Sequence, residues 1–193
     1  NVREKFIAEV QRITWAYKLA ESTINLPSSS EVPEIQVLVI KAKGSNVDDS
    51  VLSTIDRAIK QPVIFEIATA QGIRMAVTIK TGGSGGRYYS TQRSRDDDRV
   101  PLPASISLPN LYAALLEPML PIPVQAGEGL CDIADRLAVV SRLEREIAAL
   151  ERKLRTEPQL NRKVELRRTL LTQQGRLANL TNPTTASTRV TTN

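Results

Sequence analysis

From Val140 the apolar residues Val140, Leu143, Ile147, Leu150 and Leu154 alternate three and four positions apart, and Pro158 then ends the run. That alternation holds a narrow apolar seam on one side of an α-helix, the pattern of coiled-coil packing. Ile133 and Leu137 extend the seam backwards with a shift of phase. Proline costs about 3 kcal/mol inside a helix but is accepted in its first turn. The pattern therefore predicts a helix, a turn near Thr156 to Pro158, and a second helix from about Gln159 to Leu180. In the second helix Leu160, Val164, Leu171 and Ala178 form one apolar line, joined by Leu170 and Leu177, and Gly175 weakens it. Two such helices of roughly 28 to 33 Å, joined by a tight turn, make an antiparallel hairpin over residues 130–181. Spacing alone serves closure of the hairpin on itself and pairing with a second copy equally well.

Charge is concentrated in the same segment. The chain has a net charge of +5 and a pI near 9.6, and Arg142 to Arg176 holds ten Lys and Arg against five Glu. Everything outside that arm is neutral in sum. Charge runs on helices commonly form a solvated face. The sharper reading places Arg152, Lys153 and Arg155 on one side of the turn and Arg162 and Lys163 on the other, with Arg167 and Arg168 further along. Folded back, these seven would gather positive charge for a phosphate backbone or an acidic protein surface.

The rest of the chain reads as an α+β domain, a small mixed sheet with packed helices. Phe6, Val10, Ile13 and Tyr17 fall four, three and four apart and predict an opening helix, followed by a Pro/Ser loop over residues 22–34. Residues 35–43, "IQVLVIKAK", are β-branched and apolar on both faces, which predicts an interior strand. A short helix follows, with Leu52, Ile55 and Ile59 on one side and Asp48 or Asp49 as its cap. "PVIFEIATAQGIRMAVTIK" reads as two strands around a turn at Ala70 to Gly72, and "RYYST" as a further strand. The predicted order is α-β-α-β-β-β, with helices on one face of the sheet. A loop over residues 93–109 precedes a helix ended by Pro118. The domain boundaries are 1–118 for the core, 119–129 for a Pro/Gly linker, 130–181 for the hairpin and 182–193 for a disordered tail.

Chemistry is narrowed mainly by histidine, of which the chain has none. A Ser-His-Asp triad, a histidine base and the common zinc sites are excluded. The lone Cys131 cannot form an internal disulfide, which suits a reducing cytoplasm. No apolar run approaches the roughly 20 residues needed to span a bilayer, and no signal-peptide pattern opens the chain. "TGGSGG" at residues 81–86 lacks the Lys-Ser or Lys-Thr of a phosphate loop and reads as a hairpin connection. Asp96, Asp97 and Asp98 could offer oxygen ligands to a hard cation, but three consecutive residues converge poorly and arginines flank them. No catalytic set, cofactor or metal site is assigned.

Four stretches taken together, "ITWAYKLAESTINL", "IDRAIKQPVIFEI", "VPLPASISLPNLYAALLEPML" and "REIAALERKLRTEPQLNRKVELRR", resemble an uncharacterised bacterial family, domain of unknown function number 4391. The resemblance runs from about Ile13 to Leu180, and its most specific element is "EPQLNRKVEL". The glycine-rich loop and the "RDDDR" insertion depart from the family's usual pattern. The resemblance implies genes encoded beside helicases and DNA methyltransferases in restriction-like, phage-defence loci. It brings no catalytic residues. The resulting expectation is a non-enzymatic accessory subunit that docks on a helicase or methyltransferase and contacts that partner or DNA through the arm. The alternative is a metal-dependent nuclease using Asp and Glu carboxylates.

Overall fold

The computed structural model describes residues 1–80, 86–95, 100–125 and 127–182. The elements run α1 (Val2–Glu9), β1 (Val10–Ala20), α2 (Glu21–Ile24), β2 (Glu34–Ala42), α3 (Asp49–Ala58), β3 (Val63–Thr69), β4 (Gly72–Val77), β5 (Tyr89–Ser90) and α4 (Leu108–Leu116). A 3₁₀ turn at Glu117–Met119, α5 (Leu130–Thr156) and α6 (Leu160–Thr181) follow. It divides into two compact units, residues 1–120 with 124–131, and residues 121–123 with 132–193. The chain is α+β, as its patterning predicts.

In the first unit the five strands lie in sequence order. The pairs β1–β2, β3–β4 and β4–β5 are antiparallel, while β2–β3 is parallel and joined across α3. Five strands in chain order with one parallel pair need a single helical crossover, and α3 supplies it. The hydroxyl-rich start of α3 is well capped: Asp48 accepts from the Ser50 N–H at 2.9 Å. Its carboxyl is held well below the usual carboxylate range by a hydrogen bond from Lys5 at 2.7 Å, and then by Ser50. Glu9 at the end of α1 accepts from the Asp48 N–H at 2.7 Å, so α1 and α3 are clipped together at one corner.

One prediction fails here. The opening helix stops at Glu9, and Val10 to Ala20 form an 11-residue strand on the sheet edge. Val10, Ile13 and Tyr17 do share a helical spacing, but the segment is also rich in Val, Ile, Thr, Trp and Tyr, which pack well on a pleated surface. The interior strand β2 needs a partner on its open edge, and tertiary pairing overrides the local 3.6-residue pattern. Register shifts between Val10 and Arg12 and between Trp15 and Tyr17 let the long strand follow its neighbour.

The sheet is also covered on both faces, not on one. Leu38, Ile40, Val63, Phe65, Ile67 and Ala76 meet Val47, Val51 and Leu52 beneath α3. Alternation turns Ile64 and its cross-strand partner Val77 to the reverse face, where both are equally buried. α4 packs on β2 and buries Leu108, Leu111, Tyr112 and Leu116, none of which belongs to the α3 cluster. At the β3–β4 turn Gly72 has φ +120°, and a Cβ there would lie 2.5 Å from the Ser94 carbonyl oxygen.

Candidate functional site

The two helices of the arm and the turn between them form where the sequence predicts. Thr156 ends α5 by donating its hydroxyl to the Lys153 and Arg152 carbonyls at 3.3 and 3.4 Å. Glu157, Pro158 and Gln159 make the turn, and the Glu157 carboxylate accepts from the Gln159 N–H at 3.1 Å. Pro158 lies outside both helices, where its missing N–H breaks no helical bond. The two helices pack together. In α5, Ile133, Leu137, Val140 and Leu143 are buried, and Ile147, Leu150 and Leu154 are half-buried.

The contact line on α6 keeps Leu170 and Leu177 of the predicted set and differs in the rest. Leu166, Leu170, Gln173, Leu177 and Leu180 turn inward, whereas Leu160, Val164, Leu171 and Ala178 are exposed. Helix geometry explains the choice. At 100° per residue the two lines lie about 130° apart, so a single partner helix covers only one of them. The line that wins carries four leucines, and the other three large apolar residues with an alanine. More apolar area is removed from water by the first packing.

All seven predicted arm cations, Arg152, Lys153, Arg155, Arg162, Lys163, Arg167 and Arg168, are exposed. Arg162 Nε lies 3.6 Å from the Glu157 carboxylate. Among the described residues the other six have no carboxylate partner. Their placement along the helices is unequal in meaning. Lys153 and Arg155 sit in the last turn of α5, where a cation favours the helix dipole. Arg162 and Lys163 sit at the start of α6, whose first turn holds no acidic residue, so they oppose the dipole there. Arg167 and Arg168 line a shallow groove of about 500 Å³ with Val164, Leu171 and Thr172. Charge spacing revealed the cations in the sequence. The apolar floor beside them was hidden because the same residues also fit a hairpin seam.

The first unit also holds a polar cluster around Lys80 that no sequence motif announces. Lys80 Nζ donates to the Asp56, Ile59 and Gln61 carbonyls at 3.2, 2.5 and 2.8 Å, closing the end of α3. It also lies 3.1 Å from Asp56 Oδ1. Burial pushes the Asp56 carboxyl up, against the pull of Lys80. Tyr88, half-buried, packs against Phe65 at the border of the core with ring centroids 6.2 Å apart. Asp56 and Lys80 are far apart in sequence, and no local spacing announces their pairing. The cluster fits a structural role, since the ammonium is consumed by helix-end carbonyls.

Asp96, Asp97 and Asp98 and most of the glycine-rich loop lie outside the described residues. Among the described residues no group of three or more His, Cys, Asp or Glu side chains is placed to hold a metal ion. No described helix is long and apolar enough to cross a membrane. No curated protein and no solved structure matches the chain. Residues 1–177 match the family described as a domain of unknown function (DUF4391), which takes in the whole sheet, α5 and most of α6. The chain belongs to that family.

Proposed function

We propose that this chain is a non-enzymatic accessory subunit of a bacterial DNA-targeting, restriction-like defence system. It docks on a helicase or DNA methyltransferase through the basic arm, and the same cations offer a contact to DNA. The helicase and methyltransferase setting rests on the family resemblance. The observation that carries the arm's role is its six exposed cations without a carboxylate partner among the described residues. Like charges gathered at the end of a hairpin repel one another, and an anionic partner relieves that repulsion. The start of α6 sharpens the point, because Arg162 and Lys163 stand where a cation weakens the helix.

The test is capture of the helicase and the methyltransferase from native-host extract by the tagged chain. Alanine at Arg152, Lys153, Arg155, Arg162 and Lys163 together should reduce capture by at least about tenfold while leaving the circular dichroism unchanged. Undiminished capture by that variant removes the arm from the interface. The nuclease alternative is addressed by incubating the chain with plasmid and Mg²⁺ or Mn²⁺. Cleavage that disappears on alanine substitution at Asp96, Asp97 and Asp98 would replace the accessory reading.

A further inference from the structure

α6 carries two apolar lines, and α5 occupies one of them. The other, Leu160, Val164 and Leu171, is 76%, 57% and 62% exposed. At 100° per residue these three side chains fall within about 40° of one another. With Ala178 they continue a spacing of four, seven and seven, a second heptad-spaced line on the outer side of the helix. From Leu160 to Leu171 the seam runs about 17 Å, or three turns. Its middle is the groove of about 500 Å³ lined by Val164, Arg167, Arg168, Leu171 and Thr172.

The rims of this seam carry one sign of charge. Lys163 and Arg167 flank it on one side and Arg168 on the other, by about 40 to 80° of rotation. The lone carboxylate of α6, Glu165, is turned about 120° away. The helix as a whole holds five cations, Arg162, Lys163, Arg167, Arg168 and Arg176, against that one acid. A second copy of α6 laid on the seam would set cations against cations. A phosphate backbone would meet the charges but leave the leucines and the valine in water. An amphipathic helix with an apolar stripe and acidic flanks satisfies both features at once.

We infer that the outer face of α6 is a docking seam for an acidic amphipathic helix of a partner protein. Leu160, Val164 and Leu171 serve as apolar anchors, and Lys163, Arg167 and Arg168 pair with carboxylates on the flanks of the incoming helix. This assignment rests on the accessory reading for its biological setting and adds the chemistry of the partner.

The probe is a labelled synthetic helical peptide of about four heptads, with leucine on its seam and glutamate on its flanks, titrated into the full chain by fluorescence anisotropy. Saturable binding is expected, and a scrambled peptide of the same composition should not bind. Substitution of Leu160→Gln, Val164→Gln and Leu171→Gln together should weaken binding by at least about tenfold. Arg167→Glu with Arg168→Glu should lose the acidic peptide and gain one bearing lysine flanks, which a merely unfolded variant would not do. Equal binding of the scrambled peptide, or no saturation up to ~100 µM, overturns the assignment. So does a light-scattering mass showing a dimer that the three glutamine substitutions dissociate, or loss of duplex DNA binding by that variant. Failure of the accessory reading is seen separately, as absence of helicase and methyltransferase capture by the unaltered chain.

Discussion

Gly72 shows how a single residue can be dictated by what lies across from it. Its φ of +120° disfavours any side chain, and the space a Cβ would fill is taken by the Ser94 carbonyl oxygen at 2.5 Å. Ser94 is not free to retreat, since it exchanges backbone hydrogen bonds with Ile73 at 2.8 and 2.9 Å. Gly72→Ala should therefore cost roughly 1 to 3 kcal/mol, read as a lower urea midpoint with an unchanged slope. The turn itself was legible, because "AQG" between two β-branched runs is a hairpin signal. Ser94 as its steric partner was not, because 21 residues lie between them. Asp56 and Lys80 illustrate the same limit with charge: their types are ordinary, and only the sheet brings them within 3.1 Å.

At the scale of elements the two ends of the chain taught opposite lessons. The α5 seam is legible from Val140 onwards, since five apolar positions in strict alternation leave one helical face to bury. β1 is ambiguous in sequence, because Val10, Ile13 and Tyr17 fit a helix while their neighbours Thr14 and Trp15 fit a strand, and pairing with β2 decides between them. α6 lay between these cases: helix, length and turn were legible, but two apolar lines competed for one partner. The adjacent residues Leu170 and Leu171 make the outcome measurable. Leu170 is 8% exposed and Leu171 62%. Leu170→Ala should destabilise the hairpin by about 2 to 4 kcal/mol, while Leu171→Ala should stay within about 0.5 kcal/mol. Thermal melts followed by circular dichroism at 222 nm separate the two, and equal effects would mean that the inward line has been misassigned.

For the molecule as a whole, charge and apolar burial are divided between the two units. The arm between Arg142 and Arg176 accounts for the full net charge of +5, so binding to a polyanion should report on it alone. If five arm cations each meet a phosphate of duplex DNA, log K should fall against log salt with a slope of about −4.5. The five-alanine variant should flatten that slope towards zero, and an unchanged slope would place DNA elsewhere. The sequence by itself determined the α+β class, the interior character of β2, the capped α3, the hairpin with its turn at Pro158, and the concentration of cations in the arm. These follow from local propensity, short-range periodicity and counting, all carried by neighbours in the chain. Only the tertiary structure decided that residues 10–20 form a strand, that both sheet faces are buried, that Lys80 closes α3 beside Asp56, and which side of α6 turns outward. Each of those outcomes is a competition for a partner distant in sequence, settled by which pairing removes more apolar surface or satisfies more backbone groups.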